Sequence, residues 1–180
     1  MIVLVGASAS GKTELAKQLY QTYGYKKCIT TTTRKPRINE KNAIDYHFLS
    51  MEAFDKLVKE DGFYEVTHYQ DHYYGIQKKD VNEDGVVIVD PRGANTLVQK
   101  GTSDIYVVYI ETSEDIRKKR MEMRKDDPLI IEKRLRNDAN VFYVEAFTRI
   151  DLHLKNDDHS LSELAHIVHE TYQVYLHNHE

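Results

Sequence analysis

Gly6-Ala7-Ser8-Ala9-Ser10-Gly11-Lys12-Thr13 fits the spacing G-x-x-x-x-G-K-[ST], and that spacing has a physical purpose. Two glycines let the chain turn tightly, so backbone N–H groups line a concavity at the positive end of the following helix. The lysine reaches the outer phosphates of a nucleoside triphosphate, and the Thr13 hydroxyl takes one coordination position of a magnesium ion. Asp90 ends the apolar run Gly85-Val86-Val87-Ile88-Val89. It is placed like the acidic partner of such a loop, holding magnesium-bound water or a substrate group, although a carboxylate before Pro91 also suits a helix cap. Arg34 and Arg37, three apart, can grip one tetrahedral anion in paired hydrogen bonds; taken alone they read equally as a solvated basic loop. Tyr46, Tyr73 and Tyr74 offer hydroxyls to such a site or packing to a hairpin. Arg120, Arg124 and Arg134 flank the Asp126-Asp127-Pro128 break, where a lid would bring positive charge to a transferring phosphoryl group; otherwise they are a charged helix face.

Elements must bring these groups together. Ile2-Val3-Leu4-Val5 reads as a buried strand, and residues 14–23 as a helix with an apolar stripe at Leu15, Ala16, Leu19, Tyr20 and Tyr23, closed by Gly24. Residues 26–33 are extended and β-branched, but Thr30 to Thr33 are too polar for a strand buried on both faces, so a strand giving way to a binding loop is expected. Between about 34 and 76 the pattern becomes short strands around one helix: a strand at 45–49, a Ser50-capped helix burying Met51, Phe54, Leu57 and Val58, and a hairpin turning at Gln70-Asp71. Strands at 85–90, 105–110 and 149–154 then alternate with helices. Thr112 and Asp115 have capping-box spacing, a charged helix runs from the break to about 146, and Ser160 and Glu163 form a second capping box. These elements sum to a three-layer α/β fold with a mainly parallel sheet and the phosphate loop after its first strand. Its ligands belong beyond the carboxyl ends of the strands.

The chain has 180 residues, a net charge of −4 and one cysteine, Cys28. That length suits one globular domain. The charge argues against a broad nucleic-acid face, and nothing approaches the roughly 18 apolar residues of a membrane span or fits a signal peptide. Without a disulfide partner, Cys28 suits a core position in a reducing cytoplasm. His166, His169, His177 and His179 lack an acidic or cysteine partner at zinc spacing and read as a solvated helix face.

In order and nearly in register, Thr31-Thr32-Thr33-Arg34-Lys35-Pro36-Arg37, Asp45-Tyr46-His47-Phe48, Tyr73-Tyr74-Gly75, Asp90-Pro91-Arg92-Gly93, Glu132-Lys133-Arg134-Leu135 and Asn156-Asp157-Asp158 resemble the successive signatures of the guanylate kinases. The resemblance covers essentially the whole chain. It implies a P-loop kinase fold with a core (1–33, 77–120 and 146–180), an inserted GMP-binding module (34–76) and a helical lid (about 121–145), acting as monomer or homodimer. It implies magnesium-dependent transfer of the ATP γ-phosphoryl to GMP. Residues 6–13 and Asn156 would then hold ATP, with Thr13 and Asp90 at the metal. Arg34, Arg37, Tyr46 and Tyr74 would hold the GMP phosphate, Thr30 and Glu65 would read guanine, Asp90 would also touch substrate, and Lys12, Arg120, Arg124 and Arg134 would stabilise the transferring group. The chain departs from the family at Ile88, where a second acidic residue is usual, at Ile76, commonly a hydroxyl residue, and at Ala9, usually glycine. Those departures keep open a related kinase for another phosphorylated acceptor, and a non-catalytic binding module is a further alternative.

Overall fold

The computed structural model describes residues 1–100 and 105–179. β1 (Ile2–Val5) is the middle of a parallel sheet because its residues alternate between two apolar layers. Ile2 and Leu4 pack with Leu15, Leu19, Leu164, Val168 and Tyr172, whereas Val3 and Val5 pack with Ile76, Ala94 and Leu97. The first layer comes from α1 (Lys12–Tyr23) and α6 (Leu161–His177), the second from α3 (Pro91–Gln99). With β2 (Lys26–Lys27), β7 (Gly85–Ile88), β8 (Tyr106–Glu111) and β9 (Leu152–Lys155), the sheet runs β2-β7-β1-β8-β9, every pair parallel. This is the expected three-layer α/β architecture. Gly24 ends α1 at φ +74°, and Ser160 with Glu163 forms the capping box of α6.

A second sheet runs β4-β3-β6-β5, from β3 (Thr30–Thr32), β4 (His47–Phe48), β5 (Phe63–Tyr69) and β6 (His72–Gln77). β5 and β6 form the anticipated hairpin, and Gln70 and Asp71 both lie at positive φ, +49° and +65°. That turn matches the twist of the flanking strands. β3 corrects one expectation: Thr30, Thr31 and Thr32 are all buried. Burial is tolerated because the hydroxyls are engaged, Thr31 Oγ1 accepting from Gln77 Nε2 (2.7 Å) and Thr32 Oγ1 from the Arg34 amide (3.1 Å). Ser50 caps α2 (Met51–Lys59) as expected, but the helix buries only Phe54, leaving Met51 and Val58 exposed. Phe54 packs on the rings of Phe63 and Tyr73 in the second sheet, and a nine-residue helix turns only that part of its apolar stripe to cover.

α4 (Glu114–Met123) starts after Ser113 without a side-chain cap. The expected box does not form, because Thr112 Oγ1 donates to the carbonyl of Ser10 instead (3.2 Å). α5 (Pro128–Ala139) begins at the predicted break, with Asp127 accepting from the amides of Leu129 and Ile130, but it ends seven residues short of 146. Asn140 caps it and the chain turns into Phe142, whose amide bonds back to Asp138. Cys28 is buried beside Met1. Of the histidines in and after α6, His166, His177 and His179 are exposed as expected; His169 stacks on Tyr23 at 4.1 Å and His179 on Tyr175 at 4.2 Å. Among the described residues no three metal-binding side chains gather, and no helix is long and apolar enough to cross a membrane.

Candidate active site

The phosphate loop leaves β1 at Gly6 and enters α1 at Lys12. Gly11 has φ +97°, and a Cβ there would stand 2.4 Å from Asn156 Nδ2, so only glycine fits. Ala9 is also left-handed, at φ +61°. A side chain pays about 1 kcal/mol for that geometry, and here its methyl packs against Met121, Ile131 and Leu135 at the root of α4 and α5. Three further groups brace the loop from beneath. Thr112 Oγ1 and Asn156 Nδ2 both donate to the Ser10 carbonyl, and Arg120 spans the Ala9 and Asn156 carbonyls at 3.2 and 3.0 Å. Lys12 Nζ lies over the loop, donating to the carbonyls of Gly6 and Ala7 (2.6 and 2.7 Å). Burial lowers its pKa to about 8, and the charge of Asp138 opposes part of that shift.

The loop forms one wall of a cavity of about 780 Å³. Lys12, Thr13, Thr30, Arg34, Arg37, Tyr46, Glu65, Tyr74, Asp90, Arg120, Arg124 and Arg134 all line it. Residues spread over more than a hundred positions of the chain thus converge where strand ends of both sheets meet. Asn156 does not line the cavity; it is buried with its amide committed to the loop. Glu40 organises the arginine loop, pairing with Arg34 (2.9 Å) and accepting from the Arg37 amide (2.8 Å). Arg34 also lies over the Tyr46 ring at 5.3 Å, which fixes the guanidinium beside that tyrosine on the cavity wall. On the opposite wall Asp126 holds Arg124 at 3.2 Å and Arg134 at 2.9 Å.

Glu65, on β5, is 4% exposed, and its Oε2 has no hydrogen-bond partner among the described residues. Desolvation, reinforced by the charge of Asp90, pushes its pKa up to about 8. A buried carboxylate without a donor is costly, and such atoms mark places where a ligand supplies the missing partner. Asp90 is both things the sequence allowed. It caps α3, accepting from the Gly93 amide at 2.8 Å with Pro91 in the first turn, and it faces the cavity. Burial also raises its pKa, opposed by the Gly93 amide and the Thr67 hydroxyl.

Of the departures, Ile88 lines the cavity, whereas Ile76, paired across the second sheet with Thr30 and Glu65, is fully buried and packs with Val3 and Leu97. The largest omission in the sequence reading is Asp138. It is buried near the end of α5 and accepts from the Ser8 amide (2.8 Å), Arg117 Nη1 (3.2 Å) and Tyr69 Oη (2.5 Å). An acidic residue in a charged helix carries no local sign of burial. Its one available signal, helical spacing three beyond the apolar Leu135, is weak.

Comparison with known proteins agrees with this geometry. The sequence profile described as guanylate kinase matches residues 1–171. The guanylate kinase of Campylobacter jejuni (strain RM1221) is 35% identical over 147 residues, covering 76% of this chain and 72% of that protein. The guanylate kinase of Mycoplasma genitalium is 29% identical over 179 residues, covering 93% of this chain and 74% of that one. The crystal structure of guanylate kinase from Anaplasma phagocytophilum superposes with a TM-score of 0.73 over 96% of this chain and 85% of that one, at 20% identity. The match across nearly the whole length, on a fold that gathers the signature residues around one cavity, shows that this chain belongs to the guanylate kinase family.

Proposed function

We propose that the protein is an ATP:GMP phosphotransferase, forming ADP and GDP. The observation that carries this reading is Glu65: a buried carboxylate with an unpartnered oxygen, facing the same cavity as the phosphate-loop lysine. Guanine presents an N1–H and an exocyclic amino group side by side, and an ionised carboxylate accepts from both. Adenine offers a lone pair at N1 and is repelled, and the buried group left unpaired makes that rejection large.

In this reading Lys12 and the remaining amides of residues 6–13 hold the outer phosphates of ATP, those of Ser8 and Ser10 being taken by Asp138 and by the Ala7 carbonyl. Arg34, Arg37, Tyr46 and Tyr74 hold the phosphate of GMP, Thr30 and Glu65 read its base, and Asn156 braces the loop. The second sheet with α2 is the acceptor-binding module, and α4, α5 and the break between them are the lid. A GMP phosphate oxygen attacks the γ-phosphorus in line as the bond to the β-phosphate oxygen breaks. That oxygen is already ionised, so no general base is required. In the same reading Arg120, Arg124 and Arg134 stabilise the negative charge that spreads in the transition state; Asp126 pairs with Arg124 and Arg134. The donor set suits magnesium, with the Thr13 hydroxyl and the Asp90 carboxylate on one cavity, since that ion keeps several waters and takes its other ligands from phosphate. Bound there, it neutralises charge on the phosphates. Free, buried Cys28 suits a cytoplasmic protein.

The test is ADP release with ATP and magnesium on GMP, dGMP, AMP, UMP, CMP and IMP in parallel. GMP-dependent turnover, lost in Glu65→Gln and abolished in Lys12→Ala, is the expected result. Absence of turnover on every acceptor despite ATP binding, or a preference for an acceptor other than GMP, overturns the reading.

A further inference from the structure

We propose that Asp138 is a positioning residue for this transfer, a latch by which lid, acceptor hairpin and phosphate loop are held in one closed arrangement. The inference rests on the phosphotransferase reading for its consequence, but its geometry stands apart from it. Asp138 is 1% exposed and its carboxylate is fully shared among three elements. Oδ2 takes the amide of Ser8 in the loop and Nη1 of Arg117 on α4, while Oδ1 takes the hydroxyl of Tyr69 at the end of β5. Arg117, itself 6% exposed, continues the chain of contacts, its Nε donating to the Thr112 carbonyl at 3.2 Å. The Thr112 hydroxyl in turn reaches the Ser10 carbonyl, so the network returns to the loop from its other side. Gln70 Nε2 donates to the Tyr69 oxygen (2.8 Å), tying in the hairpin turn.

Stability is a poor account of this arrangement. A buried ion pair recovers little more than its desolvation cost, and apolar side chains of similar volume commonly serve as well or better. Apolar side chains could not, however, accept from the Ser8 amide and the Tyr69 hydroxyl together. The hairpin that carries Tyr69 also carries Glu65 and Tyr74. Fixing its end to the loop fixes the spacing between the groups that face the acceptor and Lys12, which faces the donor. Misplacement of reacting groups by about 1 Å costs roughly a hundredfold in rate.

Three variants of the full chain test this: Tyr69→Phe, which leaves the ion pair intact, Asp138→Asn, and the apolar double replacement Arg117→Met with Asp138→Leu. Each is followed by thermal melting, by hydrogen exchange of peptides covering 6–12 and 68–74, and by kcat and KM for both nucleotides. The double variant is expected to melt no lower than the parent yet exchange at least tenfold faster in both peptides, with strands β1 and β8 unchanged. Its kcat, and that of Tyr69→Phe, falls about tenfold or more, the loss of a hydrogen bond to a charged group, while KM for ATP stays within twofold. A double variant with parental exchange and kcat within twofold of the parent overturns the latch. So does a Tyr69→Phe variant whose only change is a lower melting temperature. If Asp138→Asn fails to fold, the other two decide. If the parent shows no GMP-dependent turnover, the phosphotransferase reading fails, and exchange in the two peptides alone decides the latch.

Discussion

In the proposed reading Glu65 is ionised to accept both donors of guanine, and its surroundings oppose that, pushing its pKa up to about 8. On that reading GMP binding is accompanied by release of a proton below pH 8. With ATP saturating, kcat/KM for GMP should rise close to tenfold per pH unit and level off near pH 8. Lys12, lowered to about 8 by burial, loses its charge above that point, so kcat/KM for ATP should fall there. Direct titration should show GMP affinity rising over the same range in the parent but weak and flat in Glu65→Gln, while ATP affinity of that variant keeps its fall above pH 8. The same shift has a consequence for stability. The folded state holds the Glu65 proton more tightly than the unfolded state, so the stability it contributes declines as pH climbs from about 4.5 to about 8. Melting curves should show Glu65→Gln more stable than the parent by roughly 1–3 kcal/mol at pH 8, the scale of one unsatisfied buried group, with little difference at pH 5. A parent as stable as the variant at pH 8 would mean Glu65 finds a partner in the free protein.

At the scale of elements, α3 puts one carboxylate to two uses, and the two can be separated. Asp90→Asn preserves an oxygen for the Gly93 amide, so the helix cap survives, but it removes the charge that discourages Glu65 from ionising. The rise in kcat/KM for GMP should then move to lower pH with stability nearly unchanged. Asp90→Ala shares that shift and also loses about 1 kcal/mol, the usual value of an N-cap. If the acid limb stays where it was in both, Asp90 and Glu65 do not feel one another. Elements also explain two misread segments. The Thr112 hydroxyl supports the loop instead of capping α4, and the threonines of β3 are buried because Gln77 and the Arg34 amide satisfy them. Helical and strand periodicity report which face is apolar. They do not report which partner a hydroxyl will find.

For the whole molecule, the proposed reading puts the donor and acceptor groups on different sheets around one cavity, so each nucleotide should stabilise the fold without the other. A ligand at a hundred times its dissociation constant adds about 2.7 kcal/mol. ATP with magnesium, and GMP alone, should each raise the melting temperature of the parent. Glu65→Gln should keep the first shift and lose the second. Loss of both in that variant would show that the base-reading wall and the phosphate loop do not fold as separable sites.

The phosphate loop, its flanking strand and helix, and the alternating parallel order were legible in the residues themselves. They are local: Gly6 to Thr13 is contiguous, Gly11 sits at a positive φ that favours glycine, and the alternation of Ile2, Val3, Leu4 and Val5 prescribes a strand buried on both faces. Arg34, Arg37, Tyr46, Tyr74 and Asp90 were visible as types able to bind phosphate or metal, although only the fold made them one site. Glu65 carried no signal of its own beyond the family resemblance, because an unpartnered oxygen is a property of surroundings. Asp138 carried only its helical spacing from Leu135, which is weak. Its carboxylate is meaningful through Ser8, Tyr69 and Arg117, residues 130, 69 and 21 positions away. Desolvation and hydrogen-bond satisfaction depend on what folding brings near, and in this protein those two quantities, settled only by the tertiary structure, distinguish a charged helix face from the junction that joins the phosphate loop, β5 and α4.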